Sequence, residues 1–296
     1  MATFRVGDRE FDSQDAFIAG GRRCGTAAFN DFRKARIRSH LATSRAAGFD
    51  DTTPAPIVVP VHFHVIRDGE QGNVPDDRLD RQIDVLNACY HPHGITFTRT
   101  ATDRTVNATW FRMTPGSAAE RQAKLSLGAD HERRLNLYTA RPGAGLLGWA
   151  TFPFDLAGDP SRDGVVVLDQ SLPDGDGPYG EGKTAVHEVG HWLGLFHTFE
   201  GGCRPPGDEV EDTPFEASPN YGPAKPDRNT CPQSGTDPTT NYMDYTDDVG
   251  MCEFTAGQIA RVRSATAIYR PHLLGAVTAK TATGWRTGID LFTGDF

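Results

Sequence analysis

The sequence predicts a mixed α/β (α+β) fold built on a twisted, mostly parallel β-sheet. Two features predict it. A β-branched run over residues 57–66 precedes an amphipathic pattern over 76–90 and further strand-like segments, and this order favours parallel strands with helices packed behind them. After the last strand come a histidine-bearing helix, a long irregular segment and a final helix ending near Tyr269.

The segments before and within this domain differ in composition. Residues 1–52 are polar and charged and include a basic, helical stretch over 31–44, and a linker over 50–56 is rich in Asp, Thr and Pro. Strands after the first are predicted at 95–100, 109–113, 135–139, 146–154 and 165–168. The predicted helix N-caps are Asp76 or Asp77 for the helix over 76–90 and Thr184 for the histidine-bearing helix.

Composition narrows the classes of function. The 296 residues, 38% hydrophobic and 23% charged, are typical of a soluble globular protein. A net charge of −9 argues against nucleic acid and acidic membrane surfaces as partners, and no apolar run approaches the roughly 20 residues of a membrane span. The charge suits cationic substrates, although acidity of this size is equally common in proteins that use it only for solvation.

One histidine motif carries the chemistry. His187 and His191 are four residues apart, so on a helix their side chains share a face and can hold one ion. His197 would point away on a continuous helix, and Gly194 stands where the chain must turn. Three neutral imidazoles leave a tetrahedral zinc ion one open position for water, and Glu188 is placed to take that water's proton.

The same residues have other interpretations. A bare HExxH occurs by chance, but the added glycine and third histidine complete the metzincin protease signature. A zinc-containing binding or processing module with weak or lost catalysis is the main alternative, and the retained Glu188 argues against it. His62 and His64 share one face of the strand over 57–66 and are candidate ligands, although such histidines are more often structural or surface residues.

The longer motifs identify a resemblance. Matching pieces are His187 to Phe199, Gly201 to Cys203, Asp212 to Pro214, Asn241 to Asp248 and Phe254 to Gln258. Through these pieces the sequence resembles the pappalysin family of metzincin zinc metalloproteases, in particular its short microbial branch. The likeness extends from Cys24 to Tyr269, whereas the last 27 residues do not match the family core.

The resemblance implies a role for each matching residue. His187, His191 and His197 would bind the catalytic zinc, with Glu188 as general base and then proton donor. Met243 would form the Met-turn beneath the imidazoles, where an adaptable side chain suits the packing. Tyr245 would donate to the tetrahedral intermediate. Asp248 would lie at the base of the pocket for the residue after the scissile bond and would favour Arg or Lys there.

Two further features follow from the resemblance. Asp208, Val210 and Thr213 match positions that hold structural calcium in the family, with solvated loop charge as the alternative. Cys203 and Cys231 match one family disulfide. The second disulfide is a departure, because its positions hold Pro223 and Gly250 while Cys252 is displaced by two residues, so Cys252 is expected to be free. Cys89 is expected to be a buried apolar residue.

The N-terminal segment resembles the family's cysteine-switch pro-segment. A thiolate is an excellent zinc ligand, so Cys24 could fill the open fourth position of the zinc site in a latent form, although a stray exposed cysteine is the alternative. Cleavage between Ser44 and Arg45 would fit a preference for Arg after the cut.

We therefore expect a zinc endopeptidase made as a latent zymogen that hydrolyses peptide bonds on the amino side of Arg or Lys. The domain prediction is a pro-segment with linker over 1–52, a catalytic domain over 53–270 with an upper part to about 194 and a lower part over 195–270, and a removable tail over 271–296. The protein is expected to be a secreted monomer without a visible signal peptide. Its partners would be peptide or protein substrates and its own pro-segment.

Overall fold

The computed structural model describes residues 3–20, 23–46 and 55–275. Most of the predicted linker and residues 276–296 of the predicted tail therefore lie outside the described residues. None of the helices in the described ranges has the length and apolar character that a membrane crossing requires.

A five-stranded sheet forms the centre of the fold. Its strands are β3 (Ile57–Arg67), β4 (Ile95–Val106), β5 (Leu135–Ala140), β6 (Gly148–Ala150) and β7 (Val165–Leu168). They lie in the order β4-β3-β5-β7-β6, with every neighbouring pair parallel except β6 and β7. The prediction of a mostly parallel sheet is thus confirmed, and β6 is its antiparallel edge strand.

Helices cover both faces of this sheet. They are α3 (Asp76–Tyr90), α4 (Ala108–Phe111), α5 (Ala118–Leu127), α6 (Lys183–Trp192) and α7 (Ala256–Tyr269). Alternate residues of β3, from Ile57 to Val65, share one apolar core with α3, α6 and α7. The opposite face of the sheet packs against α4 and α5 through a second cluster. The alternation follows from the two-residue period of a strand.

Several predicted details are wrong for local reasons. Residues 109–113 form the end of α4 and a turn instead of a strand, because the Asn107 side chain accepts hydrogen bonds from Thr109 N and Trp110 N and so caps a helical turn. The strand predicted over 146–154 shortens to β6, because a 3-10 turn begins at Pro153. The N-cap positions are also different: Pro75 for α3 and Gly182, with φ +81°, for α6.

The N-terminal segment forms its own small elements and packs onto the rest of the chain. They are β1 (Phe4–Val6), β2 (Arg9–Phe11), α1 (Gln14–Ala19) and α2 (Asp31–Ala46). Phe17 of α1 is buried in a cluster with Leu168 and Tyr179. Ile37 and Leu41 of α2 are buried in another cluster that includes Phe152, Phe154 and Phe196. The N-terminal segment is mostly polar, and its apolar side chains are buried by packing against the rest of the chain.

Candidate active site

Helix α6 and the turn after it bring the three motif histidines together. His187 and His191 lie one turn apart on α6, which ends at Trp192, and Gly194 takes φ +106° as the chain reverses. The His191 Nε2 atom lies 3.2 Å from His187 Nε2 and 3.1 Å from His197 Nε2. The predicted turn at Gly194 is therefore correct, and it brings His197 to the other two.

Backbone carbonyls fix the orientation of two of these rings. His187 Nδ1 donates to the Tyr242 carbonyl at 2.7 Å, and His191 Nδ1 donates to the Leu195 carbonyl at 2.8 Å. Each Nε2 lone pair then faces the common centre. Burial lowers the pKa of His191 to about 4 and holds the pKa of the other two rings well below the usual value, so the rings are neutral at pH 7.

These three nitrogens suit a zinc ion. Ligand nitrogens of a tetrahedral site with Zn–N bonds of about 2.0–2.1 Å are roughly 3.4 Å apart, close to the separations found here. Three lone pairs at this spacing repel one another unless a cation lies between them. Among the described residues, Cys24 is the fourth member of the cluster, and its sulfur and the three histidine nitrogens all lie within 4.8 Å of one another.

Cys24 also contacts the predicted general base. Its Sγ lies 3.4 Å from Glu188 Oε2, which accepts a second hydrogen bond, at 2.9 Å, from the Thr26 hydroxyl. Burial raises the pKa of Glu188 to about 8, while the Cys24 and Thr26 contacts lower it. Burial, with the adjacent Glu188 charge, raises the pKa of the Cys24 thiol well above its usual range.

Residues 23–26 lie alongside the edge of the sheet. Gly25 N donates to Gly148 O at 2.8 Å, and Leu147 N donates to Arg23 O at 2.8 Å, so the segment extends parallel to β6. The Thr26 hydroxyl also accepts from Ala150 N at 2.9 Å. An exposed sheet edge is where an extended peptide adds as a further strand. In this structure the protein's own N-terminal segment takes that place.

The predicted Met-turn and tyrosine lie beside the histidines. Met243 is fully buried and packs beneath α6, where a side chain at Gly190 would overlap its sulfur. The Tyr245 hydroxyl lies 3.2 Å from His197 Nε2. Burial raises the pKa of Tyr245 well above its usual range, so its phenol remains a hydrogen-bond donor at neutral pH.

Asp248 is fully buried at the start of α6, the helix that carries His187 and His191. Its Oδ2 accepts from Glu181 N at 3.0 Å and Lys183 N at 3.2 Å, at the start of α6. Its Oδ1 lies 3.6 Å from Arg23 Nη2, and both side chains are buried. Burial raises the pKa of Asp248 to about 6, and the Arg23 charge offsets part of this rise.

Arg23 is buried against Asp248 and several neighbouring groups. Its Nη1 donates to the Thr246 carbonyl, its Nη2 lies 3.7 Å from the Met251 sulfur, and its guanidinium stacks 4.8 Å from the centre of the Tyr179 ring. Sequence reasoning missed this residue. Its position next to Cys24, together with the inferred preference for Arg, was the signal that could have revealed it.

The remaining predicted residues lie in the irregular lower part, except Cys89 of α3. Cys203 and Cys231 form a disulfide with Cα atoms 5.4 Å apart, whereas Cys252 is exposed and free. Cys89 is buried, as expected. Asp208, Val210 and Thr213 are adjacent and buried.

Comparison with known proteins agrees with this geometry. The peptidase M43 family, described as pregnancy-associated plasma protein-A, matches residues 170–267. Extracellular metalloprotease 1 of Coccidioides posadasii is 41% identical over 259 residues, which cover 85% of this chain and 91% of that protein. An extracellular metalloprotease of Colletotrichum graminicola is 42% identical over 261 residues, which cover 84% of this chain and 91% of that one.

Solved structures give the same family. A promirolysin variant of Tannerella forsythia has a TM-score of 0.70 at 27% identity, covering 85% of this chain and 97% of that one. Mature mirolysin in complex with a cleaved peptide has a TM-score of 0.61 at 30% identity, covering 75% of this chain and 99% of that one. This chain belongs to the pappalysin family of metzincins and is a metalloendopeptidase.

Proposed function

We propose that this chain is the latent precursor of a secreted zinc endopeptidase that cleaves peptide bonds on the amino side of Arg or Lys. One observation carries the proposal: the adjacent residues Arg23 and Cys24 occupy the Asp248 pocket and the histidine centre together. A substrate would have to displace both.

The preference for a basic residue rests on the Asp248 pocket. A buried carboxylate strongly favours a cationic side chain, because leaving the charge unpaired costs several kcal/mol. The protein's own Arg23 fits the pocket, with the Asp248 carboxylate on one side and the Tyr179 ring on the other. A substrate Arg or Lys after the scissile bond would take the same position.

Latency rests on the Cys24 contacts and on the area that the N-terminal segment covers. In the latent form the Cys24 sulfur would be the fourth ligand beside His187, His191 and His197. The segment also pairs with β6, and its helix α2 is tied down by ion pairs of Lys34 with Glu200 at 3.1 Å and Arg38 with Glu209 at 3.0 Å. Mirolysin, whose solved forms include one named as a precursor, offers a parallel in the same family.

In the mature enzyme the chain's own residues would share the chemistry. A zinc ion held by the three imidazoles would supply a Lewis acid that polarises water and the substrate carbonyl. Glu188 would take the proton of the attacking water and deliver it to the leaving amine. The Tyr245 phenol would donate a hydrogen bond to the oxygen that develops negative charge. When the pro-segment leaves, the Cys24 thiol and the Thr26 hydroxyl would no longer contact Glu188, and its carboxylate could act as the general base.

The proposal also divides the chain into three parts. Residues 1–52 form the pro-segment and linker, 53–270 the catalytic domain with its division at about 194, and 271–296 a removable tail. The names of the fungal relatives, extracellular metalloproteases, support secretion. The enzyme would act as a monomer on peptide or protein substrates.

A structural calcium ion is proposed at Asp208, the Val210 carbonyl and Thr213. Within the described residues, Asp208 Oδ2 and Thr213 Oγ1 are buried without a hydrogen-bond partner. Burial raises the pKa of Asp208 to about 7 because desolvation disfavours the charged carboxylate, which a bound cation would stabilise. Hard oxygen ligands of this kind suit calcium.

The experiment that tests latency compares Cys24→Ser and Arg23→Ala with the parent protein. Each variant should mature at least about tenfold faster, because each loses one of the two contacts that fill the cleft. Cys252→Ser removes an exposed free thiol and serves as the matched control, with maturation unchanged. Parental rates in both N-terminal variants would refute the proposed inhibition.

A further inference from the structure

A polar cluster lies on the face of the sheet opposite the active-site helix. His62 and His64 of β3 point away from the core residues Val61, Phe63 and Val65, which pack with α6. Asp103 of β4 pairs directly with His64 in the strand register. Three potential ligands therefore lie on two neighbouring strands, on the face of the sheet that does not pack against α6.

Their polar atoms converge on one point. Asp103 Oδ2 lies 3.0 Å from His62 Nε2 and 2.6 Å from His64 Nδ1, and the two imidazole rings are 4.1 Å apart. One ligand atom from each residue lies within 4.8 Å of the others. His62 Nδ1 and Asp103 Oδ1 are buried and lack a hydrogen-bond partner in the described part of the chain.

A neighbouring amide fixes the tautomer of the inner ring. Asn136 Oδ1 accepts from Ala129 N at 3.1 Å, and Asn136 Nδ2 donates to Ala129 O at 3.0 Å, so the amide cannot be flipped. Its oxygen lies 2.9 Å from His64 Nε2, which must therefore carry a proton. In the neutral ring the Nδ1 lone pair then points at the Asp103 carboxylate.

A lone pair and a carboxylate oxygen 2.6 Å apart repel each other unless a cation neutralises them. A second proton on His64 is one solution, but it leaves Asp103 Oδ1 without a partner. A metal ion beside the pair, bound by both carboxylate oxygens, also gives Asp103 Oδ1 a partner, and a histidine whose other nitrogen donates to a protein oxygen is a common arrangement of a metal ligand. We propose that His62, His64 and Asp103 bind a second divalent transition-metal ion.

The ligand set and its exposure indicate the kind of ion. Imidazole suits zinc and its first-row neighbours, whereas calcium and magnesium prefer oxygen alone. The His64 ring is fully buried, His62 is 15% exposed and Asp103 is 36% exposed, so the ion has an entry path and room for water ligands. The ion would join β3 to the edge strand β4, so its role in the proposal is a structural one.

Zinc counting tests this site. Full-length protein is stripped with chelator, dialysed against buffered micromolar zinc and measured for zinc per chain by mass spectrometry. The wild type should hold two zinc ions, and Asp103→Asn and His62→Gln should hold one with casein hydrolysis unchanged. His91→Gln, an exposed histidine outside the cluster, should keep two.

Asn136→Ala should weaken the second zinc by about 10–100-fold without removing a ligand. A wild-type content of one zinc would overturn the site, and this measurement needs no substitution that could impair folding. Two zinc ions retained in both Asp103→Asn and His62→Gln would overturn the assignment equally.

Discussion

At the scale of single residues, Asp248 is positioned by two backbone amides at the start of α6, those of Glu181 and Lys183. The same helix carries His187 and His191. The Asp248 carboxylate and the two histidines are therefore held by one rigid element, which in the proposed enzyme would fix the distance between the specificity pocket and the scissile bond.

Asp248→Asn should remove the preference for a basic residue. The isosteric amide keeps the shape of the pocket and loses the charge, so kcat/KM for peptides with Arg after the cut should fall by about 100-fold. Cleavage of a casein-derived peptide library, read by mass spectrometry, measures the effect. Retention of the parental Arg preference would contradict the assigned role, and Asp84→Asn on the exposed face of α3 is the matched control.

Residue roles differed in how far the sequence predicted them. The three histidines and Glu188 followed from helical spacing and the chemistry of zinc. Arg23 did not, because its role depends on a contact with Asp248 that spans most of the chain. The carbonyl of Tyr242, which orients His187, also could not be predicted, since any residue supplies that group.

At the scale of elements, α6 and the Met-turn depend on each other's shape. Gly190 lies on the face of α6 that contacts Met243, and the carbonyl preceding Met243 accepts from the first zinc-binding histidine. A side chain at position 190 would push this turn away and rotate the His187 ring with it.

Gly190→Ala should therefore lower both stability and activity. Overpacking costs about 1–3 kcal/mol, and peptidase activity should fall further than stability alone explains. Gly143→Ala is the control, because a methyl group there meets open space at an unstrained backbone. Thermal unfolding and casein hydrolysis measure the two effects, and parental values for Gly190→Ala would contradict the packing argument.

Elements were predicted best where periodicity was strong. Helix α3 has the predicted bounds because its apolar residues recur at helical spacing along one buried face. The sequence predicts a strand at α4 because Thr, Trp and Phe favour strands, but the side chain of Asn107 caps a helical turn there. At this segment, the local hydrogen bonds outweigh strand propensity.

At the scale of the whole molecule, the loop over 199–240 is held by the disulfide between Cys203 and Cys231 and by buried ion pairs of Arg228 with Glu216 and Asp237. A disulfide between cysteines 28 residues apart stabilises the folded state by about 3–4 kcal/mol in the chain-entropy model. A calcium ion at Asp208 would add a pH-dependent contribution.

The sign of that contribution follows from the raised pKa of Asp208, about 7. Without calcium, the folded chain keeps a proton that the unfolded chain releases, so stability from this group is present below about pH 4 and lost as pH rises to 7. Calcium added to the zinc-loaded protein should raise Tm by about 5 °C at pH 7.5 and little at pH 5. Asp208→Asn should abolish the difference, and an equal shift at both pH values would contradict the site.

The most direct test of the central claim is mass spectrometry of the N-termini produced when the full-length protein matures. Between residues 39 and 66, Arg45 is the only Arg or Lys, so an enzyme that cuts before these residues must release its pro-segment there. We predict a new N-terminus at Arg45, peptidase activity that rises with it, and no cleavage in Glu188→Gln. Maturation at a bond that does not precede Arg or Lys, or full activity of the uncut chain, would contradict the account.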